Sequence, residues 1–406
     1  MLGAYDVKDI NQTFGTIGDT SNPNFHTYAD ITREDTVGGL NAKHYAGFFF
    51  NYMEQEASTY RNLADGFGTR GAINANTRGL HRNIGGRLRE EIQFDPKWSG
   101  IAGIGAESSA VSAEVQSRTA AEAFSRVNAN RNFFNVAPEL AVLYKHSPDL
   151  STHGRVATGY GIPSIGNLTT TSAGLPGNNL DLKPQRNVGF ELGVDGRPVK
   201  VLALSLAGYY EFWFNEFISQ SPGAGLTNFT SNAPTATHRG VEAALDWRPI
   251  EGWRLTGAYT FNDHRYLTFN ERISGVSFDR DGKQIPGVER HFANARVRYE
   301  SPYHLGAWLE MNWMDDYFAN NSNTLKTEAY NIYNLNVHYD RDLAGPILKG
   351  VSAYFEVQNL FDNTYIASAQ VVADATTDTP FNLATTKQSF FAGDPRSYFA
   401  GLKLKF

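Results

Sequence analysis

The 406-residue chain contains no cysteine. That excludes a disulfide framework, a thiol nucleophile and a thiolate metal site. It also has no run approaching the roughly 18 apolar residues of a transmembrane helix. The longest candidate, residues 201–210, is broken by Ser205 and Gly208. The opening MLGAYDVKDI has neither a basic start nor an apolar stretch, so it does not read as an export signal. Charged residues amount to only 19 % and the net charge is −6, which leaves no broad electrostatic case for nucleic acid. There is no G-x-S-x-G, no H-E-x-x-H and no Walker loop. The ten histidines are scattered without metal-ligand spacing. Neither an enzyme constellation nor a metal site is expected.

What is present is aromatic and glycine-rich: 27 Phe, 20 Tyr, 6 Trp and 38 Gly. Such a profile suits many amphipathic strands with aromatic ends and Gly-rich turns. The clearest strand is the last, in GDPRSYFAGLKLKF. Tyr398, Ala400, Leu402, Leu404 and Phe406 share one face, because successive strand side chains point to opposite sides. An apolar strand ending on phenylalanine is what the closing strand of a membrane barrel would look like.

The same alternation recurs upstream. Val241, Ala243, Leu245 and Trp247 oppose Glu242, Asp246 and Arg248. Ala293, Ala295, Val297 and Tyr299 oppose Asn294, Arg296, Arg298 and Glu300. Tyr333, Leu335, Val337 and Tyr339 oppose Asn334, Asn336, His338 and Asp340. Further strands are expected at 46–53, 87–94, 98–106 and 188–194, and at 202–214, where Leu202, Leu204, Leu206, Tyr210, Phe212 and Phe214 alternate with smaller or polar partners. Short turns near 95–97, 147–151, 195–198, 249–252 and 301–304 alternate with long loops near 57–82, 108–135, 163–185, 215–238, 264–290, 316–328 and 362–396. A membrane barrel alternates in this way, with short turns inside and long loops outside. The 108–135 segment, rich in Ala, Glu and Arg, could hold a short helix. Residues 1–42 are expected to be loop or partial strands, and the barrel portion is expected to run from 43 to 406.

A soluble sandwich or propeller also alternates. Against it, charges such as Arg296 and Glu300 facing a dry core would be costly unless paired, and Trp247, Trp253, Tyr259, Trp313, Tyr333 and Tyr339 fall near strand ends, as an interfacial belt would. No 20–50-residue repeat supports a propeller. The expected fold is all-β, a transmembrane antiparallel β-barrel with on the order of 14 to 16 strands.

Several stretches then resemble the TonB-dependent outer-membrane receptors of the siderophore-receptor type: LDLKPQRNVGFELGV (180–194), THRGVEAALDWRPIEGWRLTGAYTFND (237–263), GKQIPGVERHFANARVRY (282–299), VQNLFDNTY (357–365) and the closing GDPRSYFAGLKLKF, with RVATGYGIPSIGNL (155–168) upstream. Gln185 stands where that family usually has Glu, and Glu289 where it has Pro. The resemblance runs from about residue 40 onward and implies the C-terminal part of a barrel of the roughly 22-stranded plugged type. No signal peptide, TonB-engaging box or plug is recognisable, so an incomplete barrel or a start placed elsewhere is expected.

The resemblance further implies a bacterial outer-membrane receptor for a ferric siderophore, with TonB-dependent uptake and no covalently bound cofactor. Its partners would be outer-membrane lipid, the TonB–ExbB–ExbD complex through an N-terminal region, the barrel assembly machinery and a small-molecule iron chelate. Tyr398, Leu402, Leu404 and Phe406 would form the signal read by that machinery. Ligand contacts would come from long outer loops: the aromatics Phe133, Phe134, Phe229, Tyr317, Phe318, Phe390 and Phe391 offer rigid amphipathic area to a planar chelate, and Arg131 and Arg396 could meet an anionic ferric complex. A passive porin-like channel, or a truncated receptor fragment with exposed strand edges, is the alternative.

Overall fold

The computed structural model describes residues 2–12, 16–63, 66–118, 124–220, 227–273, 276–370 and 389–406. Its strands are β1 Leu2–Gln12, β2 Thr16–Val37, β3 Leu40–Leu63, β4 Gly66–Gln93, β5 Trp98–Arg118, β6 Phe124–Ser147, β7 Leu150–Gly161, β8 Gln185–Val199, β9 Leu202–Gln220, β10 Phe229–Trp247, β11 Trp253–Thr268, β12 Asn270–Ile273, β13 Val276–Asp279, β14 His291–Glu300, β15 Leu305–Met314, β16 Tyr330–Asp342, β17 Gly350–Gln358, β18 Ile366–Gln370, β19 Ser389–Ala392 and β20 Ser397–Lys405. Sixteen of them form one antiparallel sheet in chain order, with β12–β13 and β18–β19 as two separate hairpins in outer loops. Among the described residues the sheet does not close on itself. Its two edges are β1 and β20, the arrangement expected of an incomplete barrel.

One face of the sheet is apolar and exposed, the other polar. Along β6 the outward positions are Tyr144, Val142, Leu140, Pro138, Val136 and Phe134, and along β8 they include Phe190 and Leu192, the latter 70 % exposed. Leaving such side chains unburied is favourable only against lipid. The inward positions are tied across neighbouring strands. Arg296 Nε donates to Glu310 Oε2 at 2.9 Å, Asn294 Nδ2 to Asn312 Oδ1 at 2.6 Å, and Asn336 Nδ2 to Glu356 Oε2 at 3.1 Å. Charges that a dry core would not tolerate thus line the concave side in pairs.

The short connections lie at one end. Gly38 and Gly39 turn β2 into β3 with φ of 60° and 86°, a region closed to most L residues. Asp95 Oδ1 accepts from Lys97 N at 2.7 Å and Trp98 N at 2.8 Å, closing the β4–β5 turn. The long connections lie at the other end, which is therefore the outer one.

Three expectations about loops need correction. Residues 57–82 are not a loop: the described part is β3 and β4 running on past the lipid belt, paired as far as Leu63↔Gly66. Residues 108–135 hold no helix in their described part, where β5 and β6 stay paired to Arg118↔Phe124. Residues 2–12 and 16–37, expected to be loop or partial strands, are β1 and the 22-residue β2. On upper β5, Val111, Ala113 and Val115 do alternate with Ser112, Glu114 and Gln116, and Val111 and Ala113 are buried, but small and polar residues dominate these segments and make them read as loop. Their ladder hydrogen bonds hold them extended all the same.

Candidate functional site

The concave outer end of the sheet is partly filled by returning loops. Residues 162–184 fold back, with a single 3-10 turn at Gly166–Leu168, onto the inward face of upper β5 and β6. There Leu168 and Ile165 bury themselves among Val111, Ala113, Ala129 and Phe133. Gly79 on β4 makes room: a Cβ there would collide with the Ile165 side chain. On the far side the 269–290 loop is anchored by a fully buried ion pair, Arg280 Nε to Glu271 Oε2 at 2.9 Å. Asn321 Nδ2 donates to Glu271 Oε1 at 2.8 Å and Tyr266 Oη to Asn321 Oδ1 at 2.8 Å, joining this loop to the 315–329 loop.

Between these two plugs of loop the inner wall presents a stack of rings on β9, β10 and β11. Trp213 lies on His238 with centroids 5.0 Å apart, and His238 on His264 at 4.2 Å and 5°. The ladder makes this: His238 pairs with both Glu211 and His264. Tyr209 Oη donates to Asn262 Oδ1 at 2.7 Å and stands 3.2 Å from His264 Nε2. Trp213 Nε1 donates to Glu211 Oε2 at 2.7 Å, an oxygen that Asn187 Nδ2 also reaches at 3.2 Å. Glu216 Oε1 lies 3.3 Å from His238 Nε2. Flat rings of mixed polarity edged by carboxylates can stack on a planar ligand and orient its donors. Among the described residues no group of three or more His, Cys, Asp or Glu is placed to hold a metal ion.

The residues expected from sequence divide sharply. Phe133 sits on β6, not in a loop, and is buried in the cluster under residues 162–184; Arg131 lies over its ring at 5.2 Å. Phe134, its neighbour, points the other way, 66 % exposed on the outward face at the top of the apolar belt. Phe229 opens β10 and is buried. Tyr317 is buried too, its Oη accepting from Ala369 N at 3.0 Å, and that burial raises its phenol pKa. Phe318 carries Lys326 over its ring at 4.9 Å. Phe390 and Phe391 stand on β19, with Phe391 exposed. Arg396 has a partner within the chain: its backbone N donates to Asp362 Oδ1 at 2.9 Å and its Nη2 lies 3.6 Å from Asp362 Oδ2. The structure thus brings Tyr317, Phe318 and the β18–β19 hairpin together, and leaves Arg131 and Phe133 on a distant strand.

The Asn359–Asp362 turn behaves as its sequence suggests. Both residues are left-handed, with φ of 48° and 58°. Asn359 Nδ2 donates to Asn363 O at 2.8 Å and to Asp394 O at 3.1 Å, tying the β17 end to the segment that starts β20. Tyr398, Leu402, Leu404 and Phe406 lie exposed on the outward face of that end of the sheet, where among the described residues β20 pairs only with β17. The Trp213–Tyr209 pair escaped the sequence reading. In LAGYYEFWFNEF the expected face of Tyr210, Phe212 and Phe214 is the outward one, but the opposite face reads only as smaller or polar partners, so its Tyr209 and Trp213 do not stand out. The available signal was Glu211 and Trp213 falling in ladder register with His238 and Ala236.

An open-edged antiparallel wall with an outward apolar belt, a polar concave face and loops folded into its outer mouth defines the class: a transmembrane β-barrel of the receptor type. The profile of the TonB-dependent receptor-like β-barrel family matches residues 2–360, and the chain belongs to that family, whose members reside in the bacterial outer membrane. It is similar to the iron-regulated outer membrane virulence protein of Vibrio cholerae, 23 % identical over 257 residues that make up 53 % of this chain and 38 % of that protein. It is similar to the ferrioxamine receptor of Yersinia enterocolitica, 22 % identical over 46 % of this chain and 25 % of the receptor. Its fold matches the siderophore receptor PiuA of Acinetobacter baumannii with a TM-score of 0.73 at 16 % identity, over 100 % of this chain and 61 % of PiuA. The chain thus aligns with well under half of these curated relatives' length.

Proposed function

We propose that this chain forms the barrel wall and outer loops of an outer-membrane receptor for a ferric siderophore, with uptake driven through TonB. The observation that carries the reading is the Trp213–His238–His264 stack with Tyr209 and Glu211, set on the inner wall between two loop plugs. It gathers rings of mixed polarity and two carboxylates on the inward side of the sheet, with His238 15 % exposed, as a surface against which a planar chelate could pack. The exposed Phe391 and half-buried Phe318 and Phe390 would offer further aromatic area in the outer loops. The TonB–ExbB–ExbD complex would act through a plug and TonB-engaging segment not found among the described residues. The barrel assembly machinery would read Tyr398, Leu402, Leu404 and Phe406. The likeness to receptors named for siderophores supports the substrate class.

The test is quenching of tryptophan fluorescence in the purified chain by ferrioxamine and by a ferric catecholate. Saturable quenching that weakens in Trp213→Phe supports the reading. If neither chelate quenches, and the chain instead passes ions steadily across a planar bilayer, the receptor reading fails and a passive channel replaces it.

A further inference from the structure

The lipid-facing side of β10 and β11 changes character at its outer end. Outward positions on β10 run Trp247, Leu245, Ala243, Val241 and then Arg239; on β11 they run Trp253, Leu255, Gly257, Tyr259, Phe261 and then Asp263 and Arg265. Arg239 and Asp263 are ladder partners. The Asp263 side chain, 7 % exposed, accepts from Arg239 Nη2 at 2.6 Å and Nε at 3.0 Å, and from Arg265 Nε at 2.8 Å; Arg290 Nη2 lies 3.7 Å away. One carboxylate neutralises one of three guanidinium groups. The three remain open on the outside, 52 %, 35 % and 47 % exposed.

Just below them is an aromatic girdle. Tyr259 Oη and His291 Nδ1 are 2.7 Å apart, Phe261 packs on His291 at 5.3 Å and His291 on Trp313 at 6.1 Å. Such a girdle marks the level of the lipid head groups. A tie between strands would need one arginine for one aspartate. The other partners are neutral: Arg265 Nη1 donates to Gly282 O at 3.1 Å and Arg290 Nε to the Gln284 side-chain oxygen at 2.6 Å. Two surplus positive charges above the girdle call for an anion, and the exposed parts of their planar forks match phosphate oxygens.

We propose that Arg239, Arg265 and Arg290 bind the phosphate of an anionic outer-leaflet lipid, a phosphorylated glycolipid whose acyl chains lie along the outward face of β10, β11 and β14. Asp263 holds the three forks in place and is not itself a contact. The site is separate from the inner wall and does not depend on which chelate, if any, the chain takes up.

The purified chain in mixed micelles is titrated with a doubly phosphorylated lipid A glycolipid and with its dephosphorylated form. Tighter binding of the phosphorylated form is expected. Arg239→Gln, Arg265→Gln and Arg290→Gln should each weaken it roughly fivefold, and all three together on the order of a hundredfold. Affinity for the dephosphorylated lipid should not change. Equal binding of the two lipids by the unsubstituted chain overturns the proposal, and that measurement requires no variant to fold. Arg254→Gln, on the inward side at the opposite end, is the control; a loss there as large as in the triple variant also overturns it.

Discussion

The two halves of this sheet solve the same problem differently. Strands β2 to β6 are 21 to 28 residues long, while β14 to β17 and β20 have 9 to 13. A tilted strand crosses a bilayer in about 9–11 residues. The second group therefore stops near the membrane surface, and the first continues for roughly as far again into water. Where strands stop short, the outer mouth is covered by loops pinned through side chains, as at Glu271–Arg280. Where they continue, the backbone ladder itself builds the outer structure and side chains matter less.

The sharpest way to break that comparison is to remove a pinning side chain. Glu271→Ala would leave Arg280 charged, fully buried and without its carboxylate, a change that costs about 3–5 kcal/mol. The loss should be local. Hydrogen exchange should speed up across the described parts of residues 269–285 and leave β3–β6 unaltered. Equal acceleration in both regions would show that the loop is not separately held.

The belt itself gives the next effect. Leu309 lies mid-strand on β15, outward, paired with Val297 and Leu335. Leu309→Arg should destabilise the chain in lipid vesicles by about 2–4 kcal/mol, the cost of a charge near the bilayer midplane. Ser112→Arg, on the extended part of β5, should change stability by no more than about 0.5 kcal/mol. Urea unfolding monitored by tryptophan emission compares the two, and equal losses would place the β5 extension inside the membrane.

A smaller effect is expected where the tall hairpins do use side-chain packing. Gly79→Ala puts a methyl into the Ile165 side chain and should cost about 1–3 kcal/mol by overpacking. The readout is protease cleavage within residues 162–184, faster in the variant. Gly79→Ala combined with Ile165→Val should recover part of the loss, because the shorter side chain makes room.

What could be read from sequence follows the same divide. The strands around Val241–Trp247, Ala293–Tyr299 and Tyr333–Tyr339 stand where alternation put them, because lipid on one side and water on the other writes a period of two into the side chains. The upper parts of β3–β6 were invisible to that reasoning. Small and polar side chains dominate there, and a polar ladder such as Ser112–Asn130 looks like loop even though the inward Val111, Ala113 and Ala129 beside it are buried by residues 162–184. The candidate ligand residues suffered the same ambiguity one level down. Phe133 and Phe134 are adjacent and equally aromatic, but one is buried under a returning loop and the other meets lipid. Only knowledge of where residues 162–184 fold separates them, and that contact is non-local. The stacking of His238 on His264 follows from a register that turn positions alone do not specify.

The smallest expected effect tests the claim about the ladder directly. Arg70 Nη2 and Asp19 Oδ2 lie 2.9 Å apart on the tall hairpins, and both side chains are 42 % exposed. An ion pair so placed is screened by salt and must order two flexible side chains, so it contributes about 0–1 kcal/mol. Asp19→Asn should leave the urea midpoint nearly unchanged, and raising salt should not unravel β2–β4. Backbone pairing from Thr16↔Arg61 to Val37↔Leu40 continues on either side of the substitution and does not depend on that carboxylate. A marked loss of amide protection across upper β2 and β3 in the variant would mean that ionic contacts, rather than the ladder, hold the extension upright.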